Sequence, residues 1–306
     1  MSDADRIAAD WIAVDWGTSH LRAWAMQGAG VVAQARSADG MGSLPPGGFE
    51  AALMAQVSPW LAEGRVTRVI ACGMVGSRQG WVEAPYRQVP CRPMGDTLVR
   101  APTRDARVDV RLVPGLMQVS PADVMRGEET QIAGFLAQAP GWDGVICLPG
   151  THSKWVHVSA GEVTGFRTFL TGEMFALLGT RSVLRHSVSG WDEAGFLEGV
   201  GQSLDRPDRL MARLFSLRAE GLLQGLSPER ARARLSGLLI GAELAAAKPF
   251  LLGQRVALLG NERLARAYAT ALEVLAVPAS RHDVNACTLA GLAAIHARIE
   301  EPSCAR

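Results

Sequence analysis

Residues 11–19 read WIAVDWGTS, and residues 145–153 read VICLPGTHS. In each stretch an apolar run, which predicts a buried strand, leads into a tight turn that contains glycine and hydroxyl side chains. Two further strands are predicted after each turn: Leu21–Met26 and Val31–Ala35 after the first, Trp155–Val158 and Val163–Phe169 after the second. The repeat predicts two similar half-molecules that face a shared cleft. Backbone N–H groups and hydroxyls at such turns are suited to binding phosphate without a Walker loop.

Composition limits the class of protein. The 306 residues are 48% hydrophobic and carry a net charge of +1. Length favours about two domains, and the near-neutral charge gives no electrostatic support for nucleic acid or an anionic membrane as partner. None of the five cysteines belongs to a C-x-x-C pair, and no signal peptide or membrane-spanning stretch is recognised. We therefore expect a soluble, cytoplasmic protein.

The remaining elements alternate in type along the chain. Further strands are predicted at Val66–Cys72, Val108–Val113, Val256–Leu259 and Val277–Arg281. Helices are predicted at Phe49–Leu61, Ile132–Ala137, Glu173–Leu184, Asp192–Leu204, Pro228–Lys248, Glu262–Leu275 and Ala286–Arg298. Ser120-Pro121 has the sequence of a helix start. Pro140-Gly141 marks a predicted boundary between an N-terminal domain, residues 1–140, and a C-terminal domain, residues 141–306.

Three common sites are excluded. Gly28–Ala33 fits the dinucleotide pattern G-x-G-x-x-A, but that pattern needs a helix after it, and Val31 and Val32 predict a strand. No Gly-Lys dipeptide occurs, which excludes a Walker A loop. Zinc-ligand spacing is also missing among the histidines and cysteines.

The first turn carries the strongest chemical signal. Asp15 ends a buried strand, a costly position for a carboxylate unless it holds Mg²⁺ directly or through water. An Asx-type hairpin turn is the alternative, which the second copy at Gly150 disfavours. After that copy comes Lys154, one of two lysines beside 29 arginines. Lys154 is predicted to be a compact, flexible charge near phosphate, or else an incidental strand residue.

Two other segments are candidates for catalysis and substrate binding. Glu128 and Glu129 precede a predicted helix, where carboxylates either favour the helix dipole or supply a general base. The spacing does not choose between these roles. The loop Gly73–Trp81 follows a buried strand, and ligands gather at the carboxyl ends of such strands. Within it, Arg78 is the candidate for an anionic substrate group; pairing with Glu83 is its structural alternative.

Six segments together resemble one enzyme family, the 2-dehydro-3-deoxygalactonokinases of the actin-like ATPase and sugar kinase superfamily. They are VDWGTSHLRAWAM, GMVGSRQGWVEAPY, RGEETQIAGFL, LPGTHSKWVHV, FRTFLTGEMFALL and LLGNERLARAYATALE. The resemblance implies an α/β, actin-like ATPase (ribonuclease H-like) fold, with two similar domains flanking a nucleotide and substrate cleft. It also implies phosphorylation of the 6-hydroxyl of 2-dehydro-3-deoxy-D-galactonate by ATP with Mg²⁺, in galactonate catabolism.

The same resemblance implies roles for individual residues. The first phosphate motif corresponds to Asp15, Gly17, Thr18 and Ser19, with Asp15 as the metal ligand, and the second to Gly150, Thr151, His152, Ser153 and Lys154. Gly260 and Asn261 match the adenosine motif, although Asn261-Glu262 departs from its usual double glycine. The substrate side would hold Ser77, Arg78, Gln79, Trp81 and Tyr86. Glu128, Glu129 and Asp15 are the catalytic candidates.

Two other functions remain open. RGEETQ also resembles the glutamate segment of exopolyphosphatases, which would make the protein a phosphohydrolase with water as acceptor. Alternatively, a kinase scaffold could serve as a non-catalytic sugar-acid sensor. The expected partners are a small sugar acid and ATP, with a homodimer as a possible assembly.

Overall fold

The computed structural model describes residues 8–251 and 253–300. Its strands are β1 (Trp11–Trp16), β2 (Leu21–Gln27), β3 (Gly30–Ser37), β4 (Thr67–Cys72), β5 (Arg87–Gln88), β6 (Val99–Arg100), β7 (Val108–Leu112), β8 (Leu116–Val119), β9 (Ala122–Met125), β10 (Gly144–Leu148), β11 (Ser153–Ser159), β12 (Glu162–Phe169), β13 (Val256–Gly260) and β14 (Ala279–Asp283). Its helices are α1 (Phe49–Val57), α2 (Glu128–Gln138), α3 (Thr171–Arg181), α4 (Glu193–Asp205), α5 (Leu210–Leu223), α6 (Pro228–Leu251), α7 (Glu262–Glu273) and α8 (Val284–Glu300). None of these helices is long and apolar enough to cross a membrane.

The first sheet has the strand order β3-β2-β1-β4-β7-β6. β1 pairs antiparallel with β2 and parallel with β4, and β4 pairs parallel with β7. β1 and β4 are almost entirely buried, as expected of unbroken apolar runs that are covered on both faces. The carboxyl ends of β1 and β4 therefore meet at one edge of this sheet.

The second sheet repeats the first. Its order is β12-β11-β10-β13-β14, with β10 antiparallel to β11 and parallel to β13. The first strand of each repeat thus lies between its own hairpin partner and the fourth strand, and a fifth strand extends the parallel part. The internal repeat predicted from the two strand-turn segments is confirmed.

The chain divides into two compact units. In the described residues, the first contains residues 8–142, 160–164 and 284–300, and the second contains residues 143–159, 165–251 and 253–283. α8 thus belongs to the first unit, whereas the sequence placed all of 141–306 in one domain. α8 packs against α2 with glycines in contact with backbone: a Cβ added to Gly134 would lie 1.8 Å from the carbonyl oxygen of Cys287, and one added to Gly291 would lie 2.1 Å from that of Thr130. Only glycine permits such close packing of the two helix backbones. Hydrophobic periodicity in the sequence does not predict this contact.

The prediction of a helix that starts at Ser120-Pro121 is wrong. Both residues lie in the turn of a hairpin between β8 and β9, in which Val119 pairs with Ala122. The Gln118 side chain donates to the Pro121 carbonyl oxygen at 2.8 Å. Serine followed by proline suits a tight turn as well as a helix start, and the pairing of Ala122–Met125 with β8 decides between them.

Candidate active site

The first predicted phosphate turn joins β1 to β2. Gly17, Thr18 and Ser19 form it, and the Gly17 N–H donates to the His20 carbonyl oxygen at 3.0 Å. The side chains of Thr18 and Ser19 are exposed. A cavity of about 240 Å³ beside the turn is lined by Asp15, Gly17, Ser19, His20, Arg22 and Arg36. Arg22 pairs with Asp15 in this lining, so the Arg36 guanidinium and the exposed Ser19 hydroxyl are the groups suited to contact an anion.

A glycine packs against the turn in both units. After β3, a Cβ added to Gly40 would lie 2.2 Å from the carbonyl oxygen of Thr18; after β12, a Cβ added to Gly172 would lie 2.2 Å from that of Gly150. Each is the third residue beyond its strand. These distances admit glycine only. The sequence analysis missed this pair, whose signal is a glycine at the same spacing after each third strand.

Asp15 is held in place from two sides. Its Oδ2 accepts a hydrogen bond from Arg22, which also donates to the Asn285 side chain. The Asp15 side chain is 15% exposed. A Cβ added to Gly73, at the end of β4, would lie 3.5 Å from Asp15 Oδ1 and 2.7 Å from the Trp16 carbonyl oxygen. Gly73 has φ +95°, so both conformation and space exclude a side chain there.

Magnesium binding at Asp15 is consistent with the donor set. The described part of the chain contains no group of three or more His, Cys, Asp or Glu side chains that could hold a metal ion. Mg²⁺ in nucleotide sites needs only one or two carboxylates, because water and phosphate oxygens complete its octahedron. The Asp15 carboxylate supplies a hard oxygen ligand of that kind beside the phosphate turn.

The two carboxylates at the start of α2 lie in the same unit as Asp15. Gly127 precedes them with φ +102°, and a Cβ added to it would lie 3.3 Å from the Cα of Gly73. Gly73 in turn adjoins Asp15. The backbone contacts therefore link Asp15 with Glu128 and Glu129, so the first unit brings the three predicted catalytic candidates to one region.

Glu128 and Glu129 have different environments. Glu129 is fully buried; its Oε2 accepts from the Gly127 N–H at 2.6 Å, and its Oε1 accepts from Thr130 Oγ1 at 3.1 Å. Burial, followed by the neighbouring charge of Glu128, raises the pKa of Glu129 to about 8. Glu128 is half-buried, and its Oε2 accepts from the Arg126 N–H at 3.1 Å. A ligand can therefore reach Glu128, whereas Glu129 is enclosed and mostly protonated at neutral pH.

The second turn differs from its predicted form. Thr151 and His152 are exposed, and His152 Nε2 lies 2.6 Å from Glu173 Oε2. Ser153 and Lys154 are not exposed at the turn: they begin β11 and are 0% and 4% exposed. Lys154 pairs with Leu148 of β10. The flexible surface lysine expected near phosphate is thus a buried strand residue.

A cavity of about 910 Å³ lies beside the second turn, between α3 and α7; we call it the α3–α7 cavity. Its lining includes the turn residue Gly150 and the predicted adenosine residue Asn261, whose Oδ1 caps α7 by accepting from the Leu264 N–H at 2.9 Å. Two cation–π pairs also line it: Arg232 over Phe175, and Arg263 over Trp191. The volume is typical of a cofactor site, and flat cationic walls suit an aromatic base attached to phosphates.

A buried polar network connects the second turn to the α3–α7 cavity. Ser153 Oγ lies 2.8 Å from the hydroxyl of Tyr268, a lining residue, and that hydroxyl donates to Glu243 Oε2 at 2.8 Å. Trp155 Nε1 donates to Glu243 Oε1 at 2.8 Å, and the Thr171 hydroxyl also bonds this carboxylate. Burial raises the pKa of Glu243, while these hydrogen bonds oppose the increase. The Glu243 carboxylate on α6 thus forms hydrogen bonds with residues of β11, α3 and α7. The sequence analysis did not identify it.

Three residues of the predicted substrate loop have surface or packing roles in the structure. Arg78 and Gln79 are exposed, and Arg78 Nε lies 3.6 Å from Glu83 Oε1, with side chains 81% and 51% exposed. Trp81 stacks on Phe49 with ring centroids 6.3 Å apart. The ion pair with Glu83 is the structural alternative considered for Arg78, and exposure makes it weak.

The other two predicted substrate residues are Ser77, which follows a glycine packed against Arg126, and Tyr86, which contacts Arg126 directly; the sequence analysis missed this arginine. Ser77 is 5% exposed, and the ring of Tyr86 lies 4.3 Å from the guanidinium carbon of Arg126. Arg126 is 8% exposed and donates through Nη2 to the Ala84 carbonyl oxygen at 2.7 Å. Its signal in the sequence is its place at the start of the RGEETQ segment, directly before the two glutamates.

The chain is similar to known proteins over most of its length. A protein of Rhizobium meliloti (strain 1021), described as the 2-dehydro-3-deoxygalactonokinase DgoK1, is 39% identical over 300 residues, covering 94% of this chain and 96% of its own length. The 2-dehydro-3-deoxygalactonokinase of Escherichia coli (strain K12) is 35% identical over 278 residues, covering 88% and 91%. The crystal structure of a Sinorhizobium meliloti protein described as a 2-dehydro-3-deoxygalactonokinase matches with a TM-score of 0.88 at 38% identity, covering 97% of this chain and 98% of that one.

The family assignment follows from sequence and fold together. The repeated sheets, with their antiparallel first hairpin and parallel continuation, form the predicted actin-like ATPase fold. The sequence profile of the family described as 2-keto-3-deoxy-galactonokinase matches residues 15–295, which include both turns, the paired glutamates and the α3–α7 cavity. This chain is a member of the 2-keto-3-deoxy-galactonokinase family.

Proposed function

We propose that this protein transfers the γ-phosphate of ATP to the 6-hydroxyl of 2-dehydro-3-deoxy-D-galactonate, giving 2-dehydro-3-deoxy-6-phospho-D-galactonate in galactonate catabolism. The observation that carries this function is the repeated turn. Each unit has an exposed, glycine-supported turn beside a cavity, which is suited to binding phosphate oxygens. Membership of a sugar-acid kinase family supplies the acceptor class.

The nucleotide is proposed to occupy the α3–α7 cavity. Gly150 lines this cavity, which supports binding of the phosphates at the second turn, and Asn261 and the cation–π pairs of Arg232 and Arg263 line the space proposed for the base and ribose. Thr151 and His152 offer further donors at the turn. Lys154 is excluded from direct phosphate contact in this arrangement because it is buried in β11.

Asp15 is proposed to hold a hydrated magnesium ion. Bound there, the ion would neutralise charge on the nucleotide phosphates. The Arg22 guanidinium fixes the Asp15 carboxylate through Oδ2, which leaves Oδ1 for water or metal. Thr18 and Ser19 are proposed to donate to phosphate oxygens at the first turn.

Glu128 is proposed as the general base for the sugar hydroxyl. Glu128 is half-buried and adjoins the Asp15 region, so it can contact a ligand, whereas Glu129 is enclosed and holds its proton near neutral pH. We assign Glu129 a positioning role, because its carboxyl group accepts from the Gly127 N–H at the point where α2 meets β4.

A homodimer and a cytoplasmic location complete the proposal. α5 exposes apolar side chains on one face, at spacings of four and seven residues: Met211 (76%), Phe215 (62%) and Leu222 (71%). Light scattering after gel filtration tests the dimer, and Phe215→Glu should give a monomer. The four cysteines of the described residues form no disulfide with one another, which suits a reducing compartment.

The test is ADP release from Mg-ATP with and without a panel of 2-keto-3-deoxy sugar acids. We expect release that depends on 2-dehydro-3-deoxy-D-galactonate and on Mg²⁺, and that Asp15→Asn abolishes while leaving the melting temperature nearly unchanged. Equal ADP release without any sugar acid would instead identify a phosphohydrolase. Sugar-acid binding without ADP release would identify a sensor.

A further inference from the structure

Arg126 is a buried cation whose hydrogen-bonding capacity is mostly unused. It directly follows β9 and is 8% exposed, and among the described residues its side chain donates through Nη2 to the Ala84 carbonyl oxygen. Its Nε and Nη1 are buried and have no hydrogen-bond partner within residues 8–251 and 253–300. The face of the guanidinium is covered by the ring of Tyr86 at 4.3 Å. Buried donors without acceptors are rare in proteins, because each loses its hydration without compensation.

The charge of Arg126 is not balanced by the surrounding protein either. Among the described residues no carboxylate lies within ion-pair distance of its guanidinium; Glu128 accepts only its backbone N–H. Glu129 is the acid that interacts with it electrostatically, but burial raises the pKa of Glu129 to about 8, so this group is mostly neutral at neutral pH. A buried guanidinium without a counter-charge is unfavourable, and an anionic ligand would supply that counter-charge.

A second unsatisfied donor lies in the adjoining segment. Ser77 Oγ is buried without a hydrogen-bond partner in the described part of the chain. Ser77 follows Gly76, and a Cβ added to Gly76 would lie 3.0 Å from Arg126 Nη1. Gly76 therefore packs directly against the guanidinium, which places the segment that carries Ser77 next to Arg126. Ser77 and Arg126 are 5% and 8% exposed and their unsatisfied donor atoms are buried, so a ligand that binds these donors would have to displace neighbouring side chains.

We propose that Arg126 and Ser77 bind the carboxylate of the sugar acid, in place of the exposed Arg78. This assignment rests on the proposed function. A carboxylate is the acceptor that a guanidinium and a hydroxyl donor best satisfy, and the bond to Arg126 is charge-assisted. The ring of Tyr86 stabilises the guanidinium by a cation–π contact on one face. Arg126 lies two residues before the proposed base Glu128, so one short segment would recognise the substrate and activate it.

The experiment compares steady-state constants of wild type with Arg126→Met, Arg126→Lys and Ser77→Ala. Arg100→Met is the matched control, because Arg100 is 68% exposed and forms an ion pair with Asp109 at 3.2 Å. Arg126→Met should raise KM for the sugar acid about tenfold to a hundredfold, the loss expected for one charge-assisted hydrogen bond, with KM for ATP unchanged. Ser77→Ala should raise it a few-fold, Arg126→Lys should be intermediate, and Arg100→Met should behave as wild type.

Two further measurements separate ligand binding from a structural role. Wild type should prefer the sugar acid over its methyl ester, and Arg126→Met should lose that preference. A melting temperature of Arg126→Met near that of wild type, with the stabilisation by added sugar acid lost, supports the site. An unchanged KM in folded Arg126→Met, or a loss of sugar-acid use in Arg78→Met alone, overturns it.

The remaining outcomes are also decisive. If Arg126→Met does not fold, Arg126→Lys and Ser77→Ala decide by the same KM and ester comparison. If wild type does not phosphorylate the sugar acid, the proposed function fails. Thermal-shift titration with the sugar acid and with its methyl ester then tests the anion site separately: stabilisation by the acid that Arg126→Met abolishes and Arg126→Lys reduces supports it, and no stabilisation of wild type contradicts it.

Discussion

Replacing Glu129 by glutamine should change how the stability of this protein depends on pH. The pKa of Glu129 is raised from its ordinary 4.5 to about 8, chiefly because the carboxyl group is buried and secondly because Glu128 is close. Between these values the native state holds a proton that the unfolded chain has released. The unfolded state therefore binds fewer protons, so the free energy of unfolding falls as pH rises from about 4.5 to about 8. Glutamine does not titrate and removes this contribution.

The magnitude follows from the same two values. Each pH unit in this window is equivalent to about 1.4 kcal/mol for one proton, so the full contribution is about 5 kcal/mol and about 3 kcal/mol falls between pH 5.5 and pH 7.5. The Gly127 N–H can still donate to the amide oxygen of glutamine, because Glu129 accepts it through one oxygen, Oε2. The variant should thus gain stability relative to wild type as pH rises.

Urea unfolding of wild type and Glu129→Gln at several pH values is the assay. Taking the difference between the two proteins at each pH cancels the titration of groups that they share. Glu128→Gln is a second test variant: it should keep most of the pH dependence and weaken it in part, because burial is the larger cause of the raised pKa of Glu129 and the charge of Glu128 the smaller one. A stability difference that stays constant between pH 5.5 and pH 7.5 would refute a buried, protonated Glu129, and with it the assignment of the base to Glu128.

Three further predictions concern catalysis and nucleotide binding. Glu128→Gln should lower kcat about 10²- to 10⁴-fold with little change in either KM, as measured by coupled ADP release. Glu243→Gln should lower the free energy of unfolding in urea by about 1 to 3 kcal/mol, because the new amide cannot accept all the hydrogen bonds that this carboxylate accepts; a wild-type urea midpoint would contradict this. Gly172→Ala should weaken ATP binding about tenfold by calorimetry, because its Cβ would lie 2.2 Å from the Gly150 carbonyl oxygen and displace the turn. Gly201→Ala, with nothing within 4 Å of the added Cβ, is its control and should bind ATP as wild type does.

The repeat could be predicted from sequence because its signals are local. A buried strand such as β1 needs only an unbroken apolar run, and the turn after it needs glycine and hydroxyl residues. Both copies carry these signals, so the two sheets and their turns were found where the apolar runs placed them.

Features that depend on long-range packing could not be predicted in this way. α8 belongs to the first unit because Gly134 and Gly291 let two helices touch, a contact between residues far apart in the chain. Lys154 was predicted to be a flexible charge near phosphate because it is a rare lysine that follows the second turn, but its strand is buried on both faces. Arg126 precedes α2, and no hydrophobic periodicity in the sequence marks it as a buried residue. Its unsatisfied donors, which indicate a ligand site, are visible only in the structure.

The most direct test of the kinase assignment is the phosphorus NMR spectrum of the reaction of purified protein with ATP, Mg²⁺ and 2-dehydro-3-deoxy-D-galactonate. A phosphate on the 6-hydroxyl couples to the two protons of one CH₂ group, so the account predicts a proton-coupled triplet that grows in step with ADP. Transfer to water gives inorganic phosphate, a singlet, and transfer to a secondary hydroxyl gives a doublet. Either of these as the main product, or no new phosphorus signal, would contradict the account.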